Sequence, residues 1–240
     1  MKFLDLLDKT ARRNNSLLCV GLDQSNFELN RKIIDATRDL VCAYKPNIAF
    51  YEKDGLPGIE SLLKTIELIR ETGVPVILDA KRGDIGHTAE AYAESVFQVY
   101  KADAVTVNPY LGGDSIEPFA KYEDKGVFIL CLTSNPGAMD FQAGIYKTVA
   151  QKAREWNKNQ NLGLVVGATK PEQLKEIADI AGDLPFLIPG VGAQGGDLAA
   201  AVKYGGKHPI INASRSIIFA KDPGTEARKL RDMINEHRNS

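Results

Sequence analysis

The chain has 240 residues, 44% of them hydrophobic, and a formal net charge of −1, the profile of a water-soluble globular protein large enough for one substantial core. That near-neutral balance supplies no basic field for general nucleic-acid binding, which argues against a polymer partner but leaves room for a small anionic ligand held by a local patch. Cys19, Cys42 and Cys131 are odd in number, lack metal-ligand spacing and each sit in an apolar run; they read as small core residues of a reducing compartment, with a cytoplasmic location the expectation.

In chain order, the first sixteen residues, MKFLDLLDKTARRNNS, are broken by charge every few positions. They hold no apolar stretch long enough for a signal peptide or a membrane span. Their spacing predicts a short amphipathic helix that packs through Phe3, Leu4, Leu6 and Leu7. One theme then repeats: a short apolar run, a polar or glycine-containing turn, and a longer stretch at helical spacing. Strands are predicted over 16–22, 42–48, 74–80, 102–108, 126–132, 162–168, 185–191 and 208–214. Helices are predicted over 31–40, 58–73, 89–100, 145–159, 171–182 and 223–239, with the weakest helical pattern in the gap around 114–124. No linker or low-complexity tract interrupts the series, so residues 1–240 are expected to form one domain.

Strands that alternate with helices imply parallel pairing and right-handed crossovers. Eight such units match a closed (β/α)8 TIM barrel, an α/β fold of typically about 250 residues, here with a short N-terminal helix. The alternative, a doubly wound open sheet, is disfavoured because the first strand and turn, VGLDQSN, lack the glycine triplet of a dinucleotide-binding unit. In a barrel, catalytic groups come from strand C-termini and the loops after them.

Polar residues stand at those ends. Asp23 follows CVGL, Lys45 and Asn47 end CAYKPN, Asp79 and Lys81 end VILDAK, Asn108 ends VTVN, Ser134 follows ILCLT, and Gln194 follows LIPGVGA. Any one alone is a plausible cap or turn former; a set converging on one barrel mouth points to a site. Period-two alternation puts Ile77, Asp79 and Lys81 on one strand face, and Lys45 and Asn47 likewise. Pro46 between the latter cannot donate a ladder bond, so regular pairing should end there. Late in the chain, PGVGAQGGD (189–197) precedes a helix, and NASRSI (212–217) carries Arg215. Loops after the seventh and eighth barrel strands often hold phosphate, and an arginine adds a bidentate clamp.

Together, VGLD (20–23), KPNIAFYE (45–52), the Asp-x-Lys-x-x-Asp array in DAKRGDIGHTA (79–89), TSNPG (133–137), PGVGAQGG (189–196) and ASRSI (213–217) resemble the orotidine 5'-phosphate decarboxylase family over nearly the whole chain. The resemblance implies decarboxylation to UMP in pyrimidine synthesis, in a homodimer with shared active sites and with neither a metal nor an organic cofactor. It also implies roles: Lys81 protonates C6 of the pyrimidine, Asp79 sits against the departing carboxylate, and Asp84 reaches the partner's site with Thr88. Asp23 and Lys45 hold ribose hydroxyls and complete the charge array with Lys81; Ser134 contacts the ring, Gln194 bridges base and phosphate from a mobile loop, and Arg215 binds phosphate. Asn47, Asn108, Pro189, Gly192 and Ser214 complete the substrate-binding set. Arg82 and His87 are given no chemical role, and neither His208 nor His237 has metal-ligand spacing.

Three other readings remain at this level. A sugar-phosphate enzyme of the wider superfamily would work through a Mg²⁺-bound enediolate. A lyase would form a Schiff base at Lys81. A non-catalytic barrel would bind a phosphate ligand without turning it over.

Overall fold

In the computed structural model, which describes residues 1–191 and 197–238, the repeating theme becomes eight strands of one parallel sheet. They are β1 (Leu18–Leu22), β2 (Ala43–Pro46), β3 (Ile77–Arg82), β4 (Ala104–Val107), β5 (Gly126–Leu132), β6 (Leu162–Val166), β7 (Phe186–Ile188) and β8 (Ile210–Ala213). Each strand pairs with its chain neighbour, β8 pairs with β1, and parallel bridges Tyr44↔Val76 and Asn47↔Asp79 join β2 to β3 and close the circle. This is the expected (β/α)8 barrel.

Side-chain alternation divides the interior. Val105 and Val107 of β4 face outward into the layer that also holds Ile116 and Phe119, whereas Ile77, Ala104, Phe128, Val165, Leu187 and Ile210 point into the barrel. The N-terminal helix α1 (Phe3–Arg13) plugs the end of the barrel where the strands start. Its buried residues Phe3, Leu7 and Ala11 lie at i, i+4 and i+8, and they join the inner cluster. The Phe3 ring meets Phe128 edge-on at 5.8 Å, an arrangement favoured by the ring quadrupoles. Gly126 makes room for it: a Cβ there would lie 2.5 Å from Phe3 Cδ1. With that end sealed, the strand C-termini are left as the open face.

The helices α2 (Phe27–Thr37), α3 (Ala49–Glu52), α4 (Gly55–Glu71), α5 (Gly86–Glu94), α6 (Gly113–Ala120), α7 (Gln142–Trp156), α8 (Pro171–Ala181), α9 (Leu198–Tyr204), α10 (Arg215–Ile218) and α11 (Pro223–Arg238) fill the connections. Differences from expectation have local causes. α2 starts before residue 31 because the Asn26 side chain caps it, accepting from Leu29 N–H at 3.0 Å. β3 begins after Pro75, which has no N–H for the ladder. α6 forms in the gap with the weakest pattern and carries Pro118 inside it, held by the buried Ile116 and Phe119. The three cysteines are buried and free, and burial pushes the Cys19 and Cys131 thiols up to about 12, which leaves them inert near neutral pH. No helix of the described residues is long and apolar enough to cross a membrane.

Candidate active site

Three charged groups join at the open end. Lys45 Nζ lies 2.9 Å from Asp79 Oδ2, and Lys81 Nζ lies 2.6 Å from Asp79 Oδ1. The β1–β2 ladder runs through Pro46, which pairs with Leu22, and pairing to β3 goes one residue further at Asn47↔Asp79, so pairing does not end at Pro46 as expected; Asn47 Oδ1 accepts from Ala49 N–H at 3.2 Å. The two lysines differ in access: side-chain exposure is 6% for Lys45 and 47% for Lys81, so Lys81 is the more open of the two, while Lys45 is reached only from the cavity it lines. Burial alone would raise the Asp79 carboxyl, but Lys45 and Lys81, as charges and as donors, override it and hold the group well below the usual carboxylate range. The same balance raises Lys45: burial opposes its charge most strongly, and Asp79 and Asp23 together outweigh that.

Simple alternation does not account for how Lys81 arrives there. The β3–β4 register runs from Leu78↔Val105 to Arg82↔Val107, so three β3 residues stand opposite Thr106 alone. Within this bulge Lys81 adopts φ 46, left-handed backbone that is uncommon for residues with a side chain. The Thr106 hydroxyl accepts from the Ala80 and Lys81 N–H groups at 3.0 Å each, and donates to Asp79 Oδ1 at 2.9 Å. Sequence reasoning missed Thr106. Its signal was a lone hydroxyl at an inward-facing position of an otherwise apolar strand.

Beside the charge array opens a cavity of about 440 Å³, lined by Asp23, Lys45, Asn47, Asp79, Pro189, Ser214 and Arg215 among others. Two buried acceptors on its wall, Asp23 Oδ1 and Asn212 Oδ1, have no hydrogen-bond partner among the described residues. Such acceptors are costly unless a donor arrives. Asn212 is a second residue that the sequence reading passed over. Gly21, in VGLD, is required by crowding: a Cβ there would stand 2.0 Å from Ser214 Oγ.

Other expected site residues lie apart from this cavity. Asp84 accepts from the adjacent Ile85 N–H at 2.8 Å, and Thr88 is exposed on α5. Asn108 is exposed and accepts from Tyr110 N–H at 3.0 Å. Ser134 is half-buried, against Gly167. Gly192 and Gln194 lie outside the described residues. Arg82 pairs with Glu52 at 3.0 Å and stacks on the Tyr92 ring, a strut between β3, α3 and α5. His87 is exposed, 3.0 Å from Glu90 one turn on. Among the described residues, no group of three or more His, Cys, Asp or Glu side chains is placed to hold a metal ion.

Residues 16–230 match the family model described as orotidine 5'-phosphate decarboxylase / HUMPS family. Orotidine 5'-phosphate decarboxylase of Dehalococcoides mccartyi is 49% identical over 99% of both chains, and that of Ralstonia pickettii is 47% identical over 100% of both. Among solved structures, OMP decarboxylase of Leishmania donovani superposes with a TM-score of 0.93 at 43% identity, covering 100% of each chain.

Proposed function

The chain belongs to the orotidine 5'-phosphate decarboxylase / HUMPS family, and from that premise we propose that it converts orotidine 5'-phosphate to UMP and CO₂ without a cofactor. The observation that carries this reading is the Lys45–Asp79–Lys81 chain of charges at the barrel mouth, beside a cavity with Arg215 on its wall. Loss of CO₂ from C6 leaves an electron pair in an sp² orbital that no neighbouring carbonyl delocalises. With no electron sink, fixed charge must lower the barrier. The exposed Lys81 ammonium stabilises the charge developing at C6 and then donates its proton there, acting as counter-ion and general acid. Asp79, held anionic by Lys45, Lys81 and Thr106, repels the substrate carboxylate. Two unit charges 4 Å apart interact by about 4 kcal/mol at an effective dielectric of 20, and that repulsion ends as neutral CO₂ forms.

The other roles follow the chemistry of the wall. Asp23, with its unpartnered oxygen, and Lys45 take ribose hydroxyls, with Asn47 beside them. Arg215, Ser214 and the backbone from Pro189 to Val191 on the cavity wall take the phosphate, with Gly192, outside the described residues, assigned to the same role. Ser134 and Asn108 serve the base side, and Gln194, outside the described residues, is assigned to base and phosphate by the family resemblance.

Asp84 and Thr88 complete the site of a second subunit in a homodimer. Their own chain leaves them off the cavity, and Ile85, Tyr110, Leu111, Met139 and Phe141, on the loops after β3, β4 and β5, expose apolar side chains that suit a partner surface. A metal-dependent enediolate reaction is disfavoured by the donor set. Both Asp79 oxygens already accept from ammonium groups, which a divalent cation would have to displace.

The test is the loss of orotidine 5'-phosphate absorbance. Wild-type protein is expected to turn it over in the presence of EDTA, and Lys81→Ala to lose at least about 100-fold in kcat while still binding UMP. Turnover retained by Lys81→Ala sinks the mechanism; activity lost to EDTA and restored by Mg²⁺ favours the enediolate reading.

A further inference from the structure

The bulge in β3 leaves a hydrogen-bonding problem that one side chain resolves. Opposite Asp79, Ala80 and Lys81 the β4 ladder offers a single residue, Thr106. Ala80 and Lys81 each present an N–H that a regular parallel ladder would satisfy with backbone carbonyls. Both are instead accepted by Thr106 Oγ1, at 3.0 Å each. A hydroxyl has two lone pairs and one proton. Because amide N–H groups can only donate, the two lone pairs are committed, and the proton goes to its one recorded acceptor among the described residues, Asp79 Oδ1 at 2.9 Å. Thr106 is 1% exposed, so water does not compete for these bonds. The direction of every bond in the cluster is thereby determined.

The same Asp79 oxygen accepts from Lys81 Nζ at 2.6 Å. One hydroxyl therefore grips Lys81 through its backbone and Asp79 through its carboxylate. The left-handed backbone of Lys81, φ 46, is a conformation that persists only where its surroundings impose it. We propose that Thr106 is a positioning residue for decarboxylation: by accepting from the bulge and donating to Asp79 it holds the Lys81 ammonium and the Asp79 carboxylate in the geometry that protonation of C6 requires. This rests on the functional reading given above. Thr106 does not line the substrate cavity, so its contribution is transmitted through Lys81 and Asp79 and falls on turnover rather than on nucleotide binding.

The experiment compares wild type with Thr106→Val, Thr106→Ser and Thr106→Cys, measuring kcat, KM and UMP affinity by calorimetry. Valine keeps the shape and removes all three hydrogen bonds. It is expected to lower kcat by about 10- to 100-fold, the scale of sub-ångström to ångström misplacement of catalytic groups, with UMP affinity within about threefold of wild type. Serine restores the hydroxyl and is expected within about threefold of wild-type kcat. Cysteine has serine's shape but hydrogen-bonds weakly, and is expected at least about tenfold below serine. The serine–cysteine comparison stands even if the valine protein fails to fold. Equal kcat for folded Thr106→Val and wild type, or for Thr106→Ser and Thr106→Cys, overturns the proposal, as does a change confined to KM and UMP binding. If wild type itself leaves orotidine 5'-phosphate intact, the functional reading has failed instead, and the two failures are told apart.

Discussion

Asp79→Asn removes the charge that two lysines share and keeps the side chain's size. Lys45 and Asp79 have side-chain exposures of 6% and 9% and meet at 2.9 Å. Removing one partner from a buried pair costs about 3–5 kcal/mol, because the survivor stays desolvated without its counter-charge. Set against a typical total of about 5–15 kcal/mol, that loss leaves a protein that folds with a much smaller margin. The pH dependence carries the sharper signature. In the native protein Lys45 is raised above its ordinary 10.5: burial is the strongest single influence and lowers it, while Asp79, then Asp23, outweigh burial together. Its contribution is therefore fully present below 10.5 and is lost as pH rises through the higher folded value. Without Asp79, burial, the strongest single influence, is opposed by Asp23 and more weakly by Cys19, and Lys45 is expected to be lowered. The unfolded variant then binds the proton more tightly than the folded one, so the variant gains stability as pH rises toward 10.5. Urea unfolding followed by circular dichroism at pH 7 and pH 9.5 measures both. The expected result is a variant about 3–5 kcal/mol less stable at pH 7, with the gap to wild type narrowing at pH 9.5. A loss below about 1 kcal/mol, the range of exposed pairs, or a gap that widens with pH, refutes the buried-pair account.

Arg215→Ala is expected to raise KM and weaken UMP binding by about 1.5–3 kcal/mol, the worth of a charge-assisted hydrogen bond, with kcat much less affected; unchanged UMP affinity by calorimetry counts against a phosphate role. Gly21→Ala drives a Cβ to within 2.0 Å of Ser214 Oγ, so Ser214 must rotate from the cavity wall at a cost of about 1 kcal/mol or more. Thermal melting and UMP titration should both shift, and neither shifting would show that the approach is not a constraint. Phe3→Ala empties the plug at the barrel's closed end and should cost about 3–5 kcal/mol in urea unfolding while leaving KM near wild type; a large KM change would mean that α1 communicates with the open face.

The architecture and most of the charged set could be read from the order of residues along the chain. Eight apolar runs separated by helical periods can bury their apolar residues only if parallel strands are covered by helices, so the barrel and the side of it that carries chemistry follow from pattern alone. Asp79, Lys81, Lys45 and Arg215 were legible because charge at the end of a buried strand is expensive without a purpose. Tertiary structure decided what depends on register and on approach between distant segments. Alternation placed Asp79 and Lys81 on one face, but Lys81 reaches Asp79 through a bulge and a left-handed residue, and a bulge is set by the pairing of two strands rather than by either alone. Thr106 is 25 residues from Lys81, and Asn212 reads as one more polar residue near a strand end until its unpartnered oxygen is seen on the cavity wall. A hydroxyl or an amide acquires its meaning from which donors and acceptors surround it, and only the folded chain brings those together.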